Sequence, residues 1–292
     1  MATYNYNFGI NEPYEITMGN FVPNLQDFYD HPDNYAIDAF QIFGNLYYVG
    51  DKKVCSHLID TGDGLILFDT GYGHTTHMML NSIRSLGFDP MDIKYIIHSH
   101  GHFDHFGSGN ELRAMTGAKV CMSHVDTELL RERPDRALVR LGPRPKDPIC
   151  WPDIEIHDGD HIRLGNTDIT CVLSPGHTLG TLSFFFDATD GEKTLRVGYL
   201  GGAGLLTVYK DFCKEHLLPL DLCQRLKETF IKLRNYPVDI MLGNHPAQNR
   251  TLEKRQWMID HPGDNHFIDS SAWLQFLDAQ EIRRQDFEEK GY

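Results

Sequence analysis

An α/β layered domain is what the 292-residue sequence predicts, on three observations. Short apolar, β-branched runs alternate with stretches of helical period. Hydrophobic residues make up 41% of the chain and charged residues 23%, enough apolar matter for a large core. No Pro-, Gly- or Ser-rich stretch divides the chain into halves, and single α/β domains of this length are common. Strands alternating with helices favour sheets covered by helices.

Taken in order, residues 1–38 are rich in aromatics, Asn, Asp and Pro and lack periodicity, so they read as an irregular extension. Three runs, 41–49, 54–60 and 65–69, read as strands. The last two are joined by Thr61-Gly62-Asp63-Gly64, a hairpin turn signal. A helix is expected over 75–86, stopped by Gly87, then a buried strand over 94–99, a helix near 110–115 and a strand over 118–123. Residues 131–152, rich in Pro and Arg, read as a long loop of the kind that forms lids. Strands follow at 154–156, 168–173, 181–186 and 194–199. A helix at 220–234, a strand at 238–242 and a C-terminal helix at 271–289 complete the chain.

Charge narrows the partners. Lys and Arg total 27 against 41 Asp and Glu, a formal net charge of −14. Nucleic acid and anionic membranes are bound chiefly through neutralised phosphates, so neither is expected, and a small-molecule substrate is. No apolar run approaches the roughly 18 residues that span a bilayer. The opening Met1-Ala2-Thr3-Tyr4-Asn5-Tyr6-Asn7-Phe8 has neither the basic nor the apolar region of an export signal, so the expected location is cytoplasmic. The six cysteines are scattered without a CxxC pair and read as reduced, buried small side chains.

Sixteen histidines is a high count, and histidine is the side chain most used for metals and proton transfer. The segment Ile97-His98-Ser99-His100-Gly101-His102-Phe103-Asp104-His105 leaves an apolar strand and places His100, His102, Asp104 and His105 in six positions. In an extended or turning loop, His100 and His102 point to one side and can share an ion, while Asp104 and His105 turn toward a second position. A catalytic zinc takes three protein ligands and keeps one position open, so more ligands are needed. His177, in Ser174-Pro175-Gly176-His177-Thr178-Leu179-Gly180, and His245, in Leu242-Gly243-Asn244-His245-Pro246, each follow a strand end. Alone, either would read as a turn histidine; beside the first cluster they are candidate ligands.

The pattern HxHxDH, then Pro175-Gly176-His177-Thr178-Leu179-Gly180, then a strand-end His245, resembles the metallo-β-lactamase superfamily. Leu67-Phe68-Asp69-Thr70-Gly71 is similar to that family's D-T-G strand end, whose aspartate supports the first metal loop. Residues 43–50, 158–165 and 265–269 resemble the third subclass of metallo-β-lactamases, the branch with an all-His/Asp site. The resemblance runs from about residue 40 to 290. It implies an αβ/βα four-layer sandwich, the catalytic domain being residues 39–292, with the site at one edge of two facing sheets. Carried over by position, it implies that His100, His102 and His177 hold a first zinc and that Asp104, His105 and His245 hold a second. A nitrogen and oxygen donor set suits zinc and also accepts iron or manganese. The implied activity is a zinc-dependent hydrolase using a metal-bound hydroxide on a cyclic amide or related carbonyl substrate, with Asp104 as catalytic residue as well as ligand and Asp69 supporting the loop.

Two absences keep alternatives open. Glyoxalase-like thioesterases and lactonases of the superfamily supply a metal-bridging aspartate after a strand, and residues 197–204 here carry no carboxylate. The third subclass commonly places serine in this segment to hold the drug carboxylate, where this chain has Gly201, Gly202 and Ala203, with Thr207 and Lys210 as nearby substitutes. Hydrolysis of a lactone, ester or thioester is therefore the alternative, and an iron-dependent oxidoreductase on the same ligands a further one. His98 is expected to pack away from the site; His57, His74 and His77 are either at the cleft mouth or structural. Arg131, Arg133, Arg136, Arg140, Arg144 and Lys146 either attract an anionic substrate or form a solvated face, and Trp151 either caps the substrate or packs.

Overall fold

A computed structural model describes residues 25–138 and 148–291. The expectations for residues 1–24 and for Arg140, Arg144 and Lys146 lie outside the described residues. Strands β1 (Phe40–Phe43), β2 (Leu46–Tyr48), β3 (His57–Asp60), β4 (Leu65–Phe68), β5 (Ile93–Ile97), β6 (Lys119–Ser123) and β7 (Ile154–Ile156) form one sheet in sequence order. It is antiparallel from β1 to β4 and parallel from β4 to β7. Strands β8 (His161–Leu164), β9 (Thr167–Leu173), β10 (Leu182–Thr189), β11 (Thr194–Leu200) and β12 (Ile240–Gly243) form the second, in the order β12-β11-β10-β9-β8, with β11 and β12 parallel.

Side-chain alternation on the central strands sets the layers, because neighbouring residues of a strand face opposite sides. In β4, Ile66 and Phe68 join an inner core with Phe184, Phe186 and Tyr199 of the second sheet. Leu65 and Leu67 face outward, onto helices α1 (Leu25–Asp30), α2 (Thr76–Ser85), α3 (Phe103–Phe106) and α4 (Gly109–Thr116) through Phe28, Met79, Ile83, Phe106 and Leu112. A fifth helix on this side, α5 (His124–Glu132), adds Leu130 to the same outer core. On the second sheet, Phe185 and Met241 face helices α6 (Lys210–Glu215), α7 (Leu222–Leu233) and, beyond the short α8 (Pro246–Asn249) and α9 (Thr251–Asp260), the long α10 (Ala272–Glu289), meeting Leu226, Phe230, Trp273 and Phe276. Helices, sheet, sheet, helices is the αβ/βα sandwich the sequence implies.

Four differences have local causes. The run 41–49 is two strands, because Gly44 turns the chain at φ +52 and lies so close to the Thr189 carbonyl that a Cβ would sit 2.1 Å from its oxygen. The span 131–152 is not all loop: α5 reaches Glu132, started by Ser123, whose hydroxyl accepts the Asp126 amide at 3.1 Å. Helix α9 buries only Thr251 and Lys254, so no apolar stripe marks it in the sequence. Within 25–38, α1 buries Leu25, Phe28 and Tyr29 against the outer core. Among the described residues, no helix is long and apolar enough to cross a membrane.

Candidate metal centre

β4 runs parallel to β5 and β11 to β12, and the segments leaving the C-terminal ends of β4, β5 and β12 meet the β9–β10 connection at one edge of the sandwich. Asp69 leaves β4 with φ +51, a left-handed conformation that costs a non-glycine residue energy and turns its carboxylate inward. Fully buried, that carboxylate accepts from the Ser99 amide (2.7 Å), the Ser99 hydroxyl (2.7 Å), His105 Nδ1 (2.9 Å) and the Tyr199 hydroxyl (2.6 Å). Burial opposes its charge, but the His105, Tyr199 and Ser99 contacts hold it below the usual carboxylate range.

Two groups of side chains stand side by side at this edge. One atom each of His100, His102 and His177 lie within 4.8 Å of one another, and the same holds for Asp104, His105 and His245. The rings of His100 and His105, one from each group, have centroids 4.2 Å apart. The donor set fits a cation, and the hydrogen bonds on the far side of the rings say why. His177 Nδ1 bonds the Gly204 carbonyl at 3.0 Å and His245 Nδ1 bonds the Lys53 carbonyl at 2.8 Å. A carbonyl only accepts, so each Nδ1 carries the proton and each Nε2 is a bare lone pair directed inward. His105 is fixed in the same tautomer by Asp69, and its buried Nε2 has no hydrogen-bond partner among the described residues. His100 Nε2 and His102 Nδ1 face each other at 2.9 Å.

Protonation favours ligation too. Burial, reinforced by the neighbouring imidazoles, holds His100 and His102 well below the usual histidine value, and burial pushes His177 down to about 4 and lowers His245. His105 differs: burial works against its charge, but Asp104 and Asp69 together raise it. Asp104 Oδ2 lies 3.4 Å from His105 Nε2 and 3.7 Å from His245 Nε2.

All six residues expected from the sequence therefore meet in one place. His98 is buried, as expected, against Phe106. His57 is core, edge-on to Tyr48 and Tyr199, and burial lowers it to about 4. His74 stacks on Tyr29, and His77 is exposed, 3.6 Å from Asp33. The described arginines of 131–152 are occupied: Arg131 pairs with Glu128 and Glu155, Arg133 with Asp135, and Arg136 donates to the carbonyls of His216 and Leu217. Trp151 is 38% exposed, its carbonyl accepting from Arg113. Thr207 lies beneath His177, 3.3 Å from Nδ1, and Lys210 is exposed at the start of α6. The unforeseen contributors are Ser99, Tyr199, the Lys53 and Gly204 carbonyls, and Asp126, which is hydrogen bonded to both histidine loops. Only Asp126 had a readable signal, the Ser123-x-x-Asp126 helix start. The absence of a carboxylate or serine at 201–202 is steric. A Cβ on Gly202 would meet His177 Cδ2 at 2.6 Å, and one on Gly201 the Leu182 carbonyl oxygen at 2.0 Å.

The chain is similar in sequence and in fold to known proteins. The metallo-beta-lactamase superfamily model matches residues 49–190, just under half of the chain. A subclass B3 metallo-beta-lactamase of Bradyrhizobium japonicum is similar at 27% identity and a TM-score of 0.71, covering 88% of this chain and 94% of that one. A hydroxyacylglutathione hydrolase of Cereibacter sphaeroides is 28% identical over 144 residues, 46% of this chain but only 48% of the relative. An N-acyl homoserine lactonase of Bacillus thuringiensis is 24% identical over 214 residues, 61% of this chain and 77% of the relative.

Proposed function

We propose that this protein is a dizinc hydrolase of small carbonyl compounds, a cyclic amide of the β-lactam type being the first substrate to test. One arrangement carries this reading: six side chains, five neutral-prone or Asp-fixed histidines and one aspartate, form two adjoining three-donor groups with lone pairs directed inward. Such groups suit zinc, with iron or manganese acceptable to the same donors. Bound divalent cations supply Lewis acidity, polarising a carbonyl oxygen and bringing the pKa of water toward about 7.

The chain's own residues supply orientation and proton handling. Asp69, Gly204 and Lys53 hold His105, His177 and His245 in the ligand tautomer. Asp104, the one carboxylate of the six and 17% exposed, would take a proton from the attacking water at the carboxylate oxygen that does not hold the metal and return it to the leaving nitrogen or oxygen. Leu129, Leu130, Leu179, Phe212 and Leu218 line a small apolar cavity of about 30 Å³ beside His102 and His177, room for about one water. Gly201 and Gly202 offer no side chain for a drug carboxylate, which favours a lactone, ester or thioester as the second substrate class.

Metal content and a hydrolysis panel of β-lactams, lactones, thioesters and phosphodiesters test the proposal in wild type, His102→Ala and Asp104→Asn. Two zinc ions per chain are expected, with turnover of a β-lactam or lactone falling by roughly 10²–10⁴ in Asp104→Asn. Stoichiometric iron in place of zinc would point to the oxidoreductase reading. Less than one metal per chain, with His102→Ala indistinguishable from wild type, would sink both.

A further inference from the structure

Ser123 ends β6 and starts α5, and three residues on, Asp126 occupies the first turn, where a negative charge suits the helix N-terminus. That role alone would leave the carboxylate at the surface. Instead Asp126 is 3% exposed, and its carboxylate is hydrogen bonded to both histidine loops. Oδ2 accepts from the Gly101 amide at 2.8 Å and from the Thr178 hydroxyl at 2.8 Å, and Oδ1 accepts from the Gly180 amide at 2.8 Å. Gly101 stands between His100 and His102, and Thr178 follows His177.

We propose that Asp126 is a positioning residue of the metal centre, a carboxylate clip that sets the spacing of the His100/His102 loop against the His177 loop. The inference rests on the metal-holding reading of these histidines. Several features fit a clip better than a helix cap. Because Thr178 Oγ donates to the carboxylate, Thr181 Oγ donates to Thr178 while accepting the Thr178 amide at 2.9 Å, so the turn after His177 is locked through one chain of hydrogen bonds. The approach is too close for side chains: a Cβ on Gly180 would sit 2.5 Å from Asp126 Oδ1 and 2.3 Å from Ser123 Oγ, and one on Gly101 would meet Leu130 at 2.9 Å. Gly180 is thus explained by the Asp126 carboxylate and the Ser123 hydroxyl it meets, and Gly101 by Leu130. All three donors need a lone pair, and both carboxylate oxygens supply one; burial raises the Asp126 pKa while the Thr178, Gly101 and Gly180 bonds work against the rise. Asparagine would present an NH2 to at least one N–H or O–H.

Cobalt titration of the metal-free protein, followed by d–d absorption and calorimetry, tests the clip in wild type, Asp126→Asn and Asp126→Ala. His102→Ala and His245→Ala identify which binding step belongs to which cluster. Asp126→Ala is expected to weaken the three-histidine step 10–100-fold and shift its spectrum, leaving the Asp104/His105/His245 step within about twofold. Asp126→Asn, which preserves the side-chain shape, is expected to weaken the same step less. Urea unfolding of the metal-free forms separates this from loss of fold. Equal weakening of both steps, or an unchanged first step and spectrum in both variants, would overturn the clip while leaving the metal centre standing. A wild type that binds no cobalt would overturn the metal reading and the clip together.

Discussion

Tyr199 Oη donates to Asp69 Oδ2 at 2.6 Å, joining β11 of one sheet to the end of β4 in the other beneath the proposed metal centre. Both residues are fully buried, and Tyr199 packs its ring on Phe68 and Phe184. The phenol is therefore one of four donors that keep a strained, buried aspartate ionised and aimed at His105. Tyr199→Phe keeps the ring and removes the donor. It is expected to cost about 1–3 kcal/mol, the penalty for leaving a buried acceptor short of a partner. Urea unfolding of metal-free protein measures this; a midpoint equal to wild type would show that the Ser99 and His105 contacts suffice for Asp69.

How much of this was legible in the sequence depends on the range of each contact. His100, His102, Asp104 and His105 lie within six residues, and His177 and His245 each follow a strand end, so motif and spacing found them. Tyr199 reads as one more apolar strand residue, because its hydroxyl partner is 130 positions away. The Lys53 carbonyl could not be found at all, since any residue has one. β4 and β10 declared themselves by apolar runs, whereas α9, with no apolar stripe, did not. Pattern reports burial within an element; the supports of this centre are pairings between elements.

Removing metal should loosen the site without unfolding the domain. None of the six proposed ligands belongs to the three apolar clusters that hold the layers together. A site held at about 1,000 times its Kd adds about 4 kcal/mol of stability. Dialysis against a chelator is therefore expected to lower the thermal midpoint while leaving far-ultraviolet circular dichroism at 25 °C unchanged, with recovery on adding zinc. A midpoint indifferent to the chelator would exclude metal binding to the native state.

Asp51 gives the stability a pH dependence of definite sign. Its Oδ1 accepts the Lys53 and Val54 amides at 2.7 and 2.9 Å, shaping the turn whose Lys53 carbonyl orients His245. Burial raises its pKa to about 6, with the two amides and Lys53 working against the rise and Asp104 adding to it. The folded value lies above the ordinary 3.8, so folded Asp51 binds the proton more tightly. Its contribution is full below pH about 4 and is lost as pH rises through 6, a total of about 3 kcal/mol. Asp51→Asn retains the Oδ1 acceptor without the charge. In metal-free protein, urea unfolding at pH 4.5 and 7 should show wild type losing stability relative to the variant at the higher pH. Parallel pH profiles would mean that Asp51 titrates normally.

The last prediction concerns why this chain lacks a side chain where serine would serve the third lactamase subclass. Gly202 faces His177 so closely that a Cβ would lie 2.6 Å from Cδ2 and 3.0 Å from Cβ and Cγ. The imidazole is pinned from the other side by the Gly204 carbonyl and approached by Thr207, so it cannot swing aside without giving up the bond that fixes its tautomer. Gly202→Ala and Gly202→Ser should therefore behave alike, because the offending atom is the Cβ they share. Each is expected to cost about 1–3 kcal/mol by overpacking and to weaken metal binding at the three-histidine cluster at least about tenfold. Zinc competition and urea unfolding measure the two effects. Wild-type metal affinity in Gly202→Ala would remove the steric account of the missing serine. A loss in both variants would mean that any recognition of a substrate carboxylate has to come from elsewhere around the pocket.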